Sequence, residues 1–189
     1  MIVILKYQPT WPGEFLKMGR ILRAELGDLA LRIDHIGSTS IPNLDAKDII
    51  DIQVTVANFV PEVAEAICRA GFKRVEYITG DHIPSGSIPD PAEWSKWIFS
   101  SLPETRRMNL HVRQAGRANQ RYPLLFRDYL RATPSAAETY GKIKIALVES
   151  NATDVDAYYA VKDPVCDLII DAAEIWARVK PWHIGPSDC

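Results

Sequence analysis

The chain reads as an α+β protein: a mixed sheet of about five strands, helices packed on it, and a C-terminal helical segment. Three observations predict this. Segments with strand character cluster between residues 29 and 112, an amphipathic helical pattern precedes them, and the sequence turns helical after Gly116. Strands grouped in the middle, rather than alternating one by one with helices, argue against a doubly wound parallel fold.

Each element has its own signal. Phe15, Met18, Ile21, Leu22 and Leu26 recur at helical spacing between Pro12 and Gly27, and Gly27 suits a helix C-terminus. Leu29 to Ile36 is compatible with a strand, and Gly37 to Lys47 carries turn chemistry. Ile49 to Val56 alternates, with Asp51, Gln53 and Thr55 on one face and Ile50, Ile52, Val54 and Val56 on the other. Phe59 to Ala70 reads as a helix closed by Gly71, and Phe72 to Ile78 as a strand. Thr79 to Glu93 holds two glycines and three prolines, so it reads as a long loop of the kind that is often functional or mobile. Trp94 to Ser100 and Met108 to Val112 complete the strands. A helix follows over Tyr122 to Ala132. Ser135 with Glu138 makes a capping box for the next helix, and Asp163-Pro164 reads as the start of the last one.

With 189 residues, the expected organisation is one domain over 1–189, with a sheet-containing core over about 1–115 and a helical part over about 120–180. Apolar residues make up 47% of the chain, which excludes a disordered protein. The formal net charge of −2 gives no global attraction to nucleic acid or to an anionic membrane, so any anion site must be a local cluster. No apolar run approaches the ~20 residues that span a bilayer. The start, Met1-Ile2-Val3-Ile4-Leu5-Lys6, lacks the basic region and cleavage site of a signal peptide. Cys68, Cys166 and Cys189 show no metal-ligand spacing and no disulfide framework. The expected compartment is the cytoplasm.

Four groups of residues could carry chemistry. Gly37-Ser38-Thr39-Ser40 offers a close backbone approach, N–H groups and hydroxyls to a phosphate; the alternative is a polar turn. Asp51 stands mid-strand, where a carboxylate is disfavoured, on a face that is either a site or solvated. Asp48, at odd spacing, falls on the opposite face and cannot share a metal with Asp51. His111 alternates with Leu110 and Val112 beside Asn109 and Arg113, and could be a ligand, an acid–base or a hydrogen-bonded structural residue. Arg127 and Arg131 share one helix face, and Lys142 and Lys144 lie on the next helix; these are phosphate-binding candidates or a solvated surface. No Walker A motif occurs, so the chain is not a P-loop kinase.

Together these residues resemble the GrpB family. The resemblance is carried by His35-Ile36-Gly37-Ser38-Thr39-Ser40-Ile41-Pro42, Ala46-Lys47-Asp48-Ile49-Ile50-Asp51-Ile52, Asn109-Leu110-His111-Val112 and Phe126-Arg127-Asp128-Tyr129-Leu130-Arg131. Tyr7-Gln8-Pro9-Thr10-Trp11 and Tyr140-Gly141-Lys142-Ile143-Lys144 also fit. The domain is similar to the C-terminal extension of dephospho-coenzyme A kinase in some bacteria, through Ile50-Asp51-Ile52-Gln53-Val54-Thr55-Val56 and Asn119-Gln120-Arg121-Tyr122.

The resemblance implies a polymerase-β-like nucleotidyltransferase fold. In that superfamily a Gly-Ser turn after the first strand holds a triphosphate. An acidic pair on the next strand binds two divalent metals, with a third acid from a later strand. By position, Gly37 and Ser38 match the turn and Asp51 the first acid. Position 53 is Gln, and His111 stands where the third carboxylate is expected.

The expected function is binding of a nucleotide or other small phosphate ligand. Gly37, Ser38, Thr39, Ser40, Lys47, Arg127 and Lys144 would contact the phosphates, and Asp51 with Gln53 would hold Mg²⁺. Asp51 and His111 would be the catalytic residues if nucleotidyl transfer to a small acceptor occurs. One alternative is a non-catalytic interaction or chaperone-like module with a coenzyme A pathway protein as partner. Another is a His35–Asp51–His111 metal site. Neither nucleic acid nor membrane is an expected partner.

Overall fold

The structure, a computed structural model, describes residues 2–151 and 154–189. Met1, part of the N-terminal segment read above, lies outside the described residues.

Five strands form one mixed sheet: β1 (Ala30–Ile36), β2 (Ile50–Val56), β3 (Phe72–Arg74), β4 (Trp97–Ser101) and β5 (Met108–Gln114). Their order across the sheet is β1-β2-β5-β4-β3, with β2 and β5 parallel and the other neighbours antiparallel. The alternation read in Ile50 to Val56 decides the layering. Ile50, Ile52, Val54 and Val56 face α1 (Trp11–Leu26) and α2 (Pro61–Arg69), burying Trp11, Phe15, Leu22, Leu26, Val63 and Ile67 in the main core. Leu22 is fully buried there, and its truncation to Ala would cost roughly 2–5 kcal/mol. Both helices begin with proline in the first turn, where the missing N–H leaves no bond unmade.

The other face of the sheet is polar. In the parallel register Asp51 lies beside Asn109, Gln53 beside His111 and Thr55 beside Arg113. This face is not solvated: Gln53 and Thr55 are buried, and α4 (Ala118–Ala132) packs on this side, Gln120 O accepting from Gln53, while α5 (Pro134–Asn151) and α6 (Val155–Val179) pack against α4. Polar side chains sealed between layers must find partners or a ligand, and this makes the interface between sheet and helices the place to look for function.

Several boundaries differ from the sequence reading. The segment after Gly71 is only a three-residue strand, because Glu76 and Tyr77 lie beyond the end of β3's pairing with β4. Trp94 belongs to a single-turn helix, α3 (Pro91–Trp94), capped by Asp90, whose carboxylate accepts from Ala92 N at 2.9 Å. α5 begins one residue before Ser135, and the carbonyl of Thr133 accepts from Ala136 and Ala137. α6 starts at Val155 under an Asp154 cap and runs on through Pro164. Burial of Tyr158, Ile170 and Ala173 along its whole length outweighs the hydrogen bond that proline deletes. Among the described residues, no helix is long and apolar enough to cross a membrane.

Candidate functional site

Gly37 ends β1 with φ +68° and ψ −176°, a conformation open to glycine and strained for other residues. A Cβ there would sit 2.4 Å from Asp51 Oδ2, so the turn and the mid-strand acid are in contact. Asp51 is half-buried. Asn109 Nδ2 donates to its Oδ1 at 3.1 Å, and His111 Nε2 lies 3.8 Å away, a close electrostatic contact beyond hydrogen-bond length. Burial opposes ionisation of Asp51, but the His111 imidazole, the Asn109 amide and the Lys47 charge outweigh it and hold its pKa below the ordinary value. Burial pushes the His111 pKa down, only partly offset by Asp51, so the imidazole is neutral near pH 7 and can accept a proton.

Ser38 follows in a single 3₁₀ turn, Ser38–Ser40. Lys144, brought in by α5, donates to Ser38 Oγ at 2.9 Å and to Asp45 O at 2.6 Å. It is 2% exposed, and burial together with the nearby Lys162 lowers its pKa from 10.5 to about 7. Lys47 reaches α6: its Nζ donates to Tyr159 OH at 2.8 Å and sits 5.2 and 4.8 Å from the ring centroids of Tyr158 and Tyr159. Gly37, Ser38, Lys47, Asp51, His111 and Lys144 thus gather where β1, β2 and β5 meet α5 and α6.

The remaining expected ligands do not join them, because their polar atoms are committed internally. Thr39 Oγ1 pairs with His35 Nε2 at 3.0 Å, and Ser40 Oγ donates to Gly37 O at 2.6 Å. Gln53 Oε1 accepts from Arg113 Nη1 at 2.8 Å while its amide donates to Gln120 O at 2.9 Å, so it turns no oxygen toward a metal at Asp51. Arg127 is buried against β1, donating to His35 O at 3.0 Å and to Asp188 Oδ2 at 2.7 Å. Its partner Asp188 belongs to a C-terminal segment that lies along the free edge of β1, where Ser187 Oγ accepts from Ile33 N and Cys189 N donates to Ile33 O. Arg131 donates to Ser40 O at 2.8 Å. His35 pairs in register with Ile52, stacks on Phe15 at 4.8 Å and is held neutral by burial, which drops its pKa to about 3. It lies on the sheet face opposite Asp51, which ends the His35–Asp51–His111 metal site. Asp48 also points to the α1 side, accepting from Trp11 Nε1 at 2.8 Å.

A second polar cluster escaped the sequence reading. Asp81, from the breaker-rich loop, accepts from Lys96 Nζ at 2.6 Å, from Arg113 Nε at 2.8 Å and Nη2 at 2.9 Å, and from Asn119 Nδ2 at 3.1 Å. Burial opposes its charge, but Arg113 and Lys96 keep it firmly ionised. The loop is therefore pinned to the sheet at that point. Arg113 alternating with His111 on a polar strand face was the available signal; nothing local to Asp81 marked it. Arg113 Nη2 lies 3.5 Å from His111 Nδ1, so the two clusters adjoin. Beside them a cavity of about 210 Å³ opens between α3, α4, α6 and the loop, bordered by Asp81, Trp94, Arg113, Asn119, Tyr122 and Lys162.

The donor set does not suit two divalent ions. Two metals about 4 Å apart require several anionic oxygens between them. Asp51 supplies one carboxylate, Gln53 is turned away, and Lys96 and Arg113 add positive charge beside His111. Among the described residues, no group of three His, Cys, Asp or Glu side chains could hold a metal ion. A single Mg²⁺ carried on a ligand's phosphates would find Asp51 as its protein carboxylate.

The GrpB protein family profile matches residues 1–172. The chain is 36% identical over 188 residues to dephospho-CoA kinase of Mycolicibacterium paratuberculosis, covering 92% of this chain and 46% of that protein. It therefore spans about half the length of that relative. It is 32% identical to UPF0157 protein BH1888 of Halalkalibacterium halodurans, covering 91% of this chain and 82% of that one. The crystal structure of conserved protein GrpB from Enterococcus faecalis superimposes with a TM-score of 0.74 at 30% identity, covering 92% and 99% of the two chains. The structure of the GLD-2/RNP-8 complex matches with a TM-score of 0.50 at 8% identity over 96% of this chain and 56% of that one, a likeness of fold.

Proposed function

Because this chain belongs to the GrpB family and has a polymerase-β-like nucleotidyltransferase fold, we propose that it binds a small phosphate-bearing ligand, a nucleotide, between the polar sheet face and helices α5 and α6. The observation that carries this reading is one turn held between opposite charges. Gly37 packs on Asp51, and the next residue, Ser38, is bonded to the buried ammonium of Lys144. Phosphate oxygens would replace Ser38 and Asp45 as acceptors for Lys144 and meet Lys47 alongside. Mg²⁺ would ride on the phosphates, with Asp51 as its protein ligand.

If the ligand reacts, the step is nucleotidyl transfer. An acceptor oxygen attacks the α-phosphorus, its proton passes to the neutral His111 imidazole, and pyrophosphate leaves, its charge met by Lys47 and Lys144. Calorimetric titration with ATP, CTP, GTP and coenzyme A, with and without Mg²⁺ or Mn²⁺, tests the reading on wild type, Asp51→Ala and Lys144→Met. Binding that weakens in both variants supports it; no heat from any of these ligands on wild type refutes it.

A second reading, an interaction module for a coenzyme A pathway protein, is favoured by one observation: the relatives named dephospho-CoA kinase are about twice as long as their match to this chain. Pull-down with a stand-alone dephospho-CoA kinase distinguishes it, and a complex unaffected by Asp51→Ala would favour the module.

A further inference from the structure

Ser38, Thr39 and Ser40 share the turn after β1, and their hydroxyls differ in their partners. Thr39 and Ser40 are buried, with Thr39 Oγ1 paired to His35 and Ser40 Oγ donating to Gly37 O. Ser38 is half-buried, and among the described residues its hydroxyl has Lys144 Nζ as its hydrogen-bond partner at 2.9 Å. Lys144 is held in turn by Asp45 O at 2.6 Å. A hydroxyl within hydrogen-bond reach of a basic side chain, itself oriented by a third group, is the arrangement of an activated nucleophile. A serine paired with a lysine is one of its variants.

The protonation state of Lys144 decides whether it can act as a base. Lys162 and Cys166 from α6, and Asp45 and Lys47 from the segment before β2, act on its charge, and the Tyr140 ring on α5 lies 4.7 Å from Nζ. Burial is the largest influence, and a pKa of about 7 leaves a large share of the molecules with a neutral amine near pH 7. That is the range in which a lysine serves as a general base. The neutral amine can keep one N–H on Asp45 O and offer its lone pair to the Ser38 hydroxyl.

The same charge argument selects the electrophile. A phosphate beside Lys144 would favour the ammonium and hold its proton in place, whereas an uncharged carbonyl leaves the lone pair free.

We propose that Ser38 is a nucleophile that takes an acyl group from a small uncharged ester, with Lys144 as its general base and Asp45 O orienting the amine. This goes beyond the phosphate reading and does not depend on it. Ser38 Oγ bonds to the carbonyl carbon as its proton moves to Lys144 Nζ. The bond from that carbon to the departing oxygen breaks, and Lys144 passes the proton on to that oxygen, leaving an alcohol and an acylated Ser38. Water, deprotonated by the same amine, then releases the acid.

The probe is p-nitrophenyl acetate, added to the full chain. Reactions are quenched in acid over a range of pH, and the acetylated residue is located by mass spectrometry of peptides. Acetyl is expected on Ser38, at a rate that rises with pH and levels off above the Lys144 pKa of about 7. Lys144→Met should slow acetylation of Ser38 by about a hundredfold and abolish the plateau. Ser38 acetylation that climbs with hydroxide and shows no plateau in wild type would make Lys144 a structural tie and overturn the inference. Acetyl on Lys144 or on surface lysines, with none on Ser38, would do the same. The wild-type label site and pH profile stand even if the variant misfolds. Tripolyphosphate, titrated separately, tests the phosphate reading. Its binding without Ser38 acetylation would leave that reading standing and remove this one, and Ser38 acetylation without tripolyphosphate binding would do the reverse.

Discussion

Replacing Lys144 by Met separates its charge from its packing. The ammonium is almost fully enclosed, and burial, reinforced by Lys162, lowers its pKa from 10.5 to about 7. Between those pH values the unfolded chain keeps the proton and the folded chain releases it. The unfolded state then binds more protons, so stability increases as pH rises through this window and is lost as pH falls back toward 7. At ~1.36 kcal/mol per pH unit, the whole window is worth about 4–5 kcal/mol as an upper figure. Met removes this term but deprives Ser38 Oγ and Asp45 O of their donor, a loss of roughly 1–3 kcal/mol. The variant should therefore exceed wild type in stability near pH 7, by up to about 1–4 kcal/mol, and lose that advantage at higher pH. Urea unfolding at pH 7, 8 and 9 measures this. The difference between wild type and variant should grow by about 1 kcal/mol per pH unit in favour of wild type. Parallel profiles would show that Lys144 keeps its proton and an ordinary pKa, and that its enclosure does not perturb it.

Other perturbations probe separate parts of the structure. Gly37→Ala should lose about 2–4 kcal/mol of stability in a thermal melt, since it adds left-handed strain and drives a methyl into Asp51; an unchanged melting temperature would contradict the contact. Gln53→Glu puts an acid where the resemblance implies a second carboxylate, yet the side chain faces Arg113, so Mn²⁺ affinity measured by electron paramagnetic resonance should not rise; a new tight Mn²⁺ site would refute the placement. Asp188→Ala removes the acceptor of the His35 N–H, which should exchange with deuterium faster while the circular dichroism spectrum stays the same; unchanged protection would mean the C-terminal segment does not hold that edge.

The sheet was legible where one face is apolar and the other polar, because a period of two leaves one register: β2 begins at Ile50, one residue after the expected Ile49, and ends at Val56 as expected. α1 was legible for the corresponding reason at period 3.6. What failed was local punctuation set against long-range burial. Asp163-Pro164 has the chemistry of a helix start, but Tyr158 is buried upstream of it and the helix runs through. Within the site, Asp51 and its contact with the Gly37 turn could be expected, because two adjacent strands bring their ends together. The roles of Arg127, Gln53 and Asp81 could not. Each is decided by a partner far along the chain: Asp188 for Arg127, Gln120 and Arg113 for Gln53, and Arg113 and Lys96 for Asp81. A sequence pattern shows which side chains share an element's face and not which distant group will claim them.

The distribution of charge joins these results. A nucleotidyltransferase site must concentrate positive charge around phosphates, and two divalent ions do so only where carboxylates hold them. In this chain the carboxylates at the site are Asp51 and Asp81, and Asp81 is already neutralised by Lys96 and Arg113. Positive charge is instead built into the protein by Lys47, Lys96 and Arg113, joined by Lys144 when it is protonated, despite a net formal charge of −2. Side-chain cations enclosed in a site attract phosphate without a metal, whereas a site that depends on bound ions loses its ligand when they are chelated. Tripolyphosphate binding should thus persist in EDTA, weakened by less than about tenfold, because a Mg²⁺ carried on the phosphates would have Asp51 as its single carboxylate anchor. Calorimetry with and without the chelator decides it. Complete loss of binding in EDTA would mean that metal ions, and not the lysines and arginine gathered here, supply the charge.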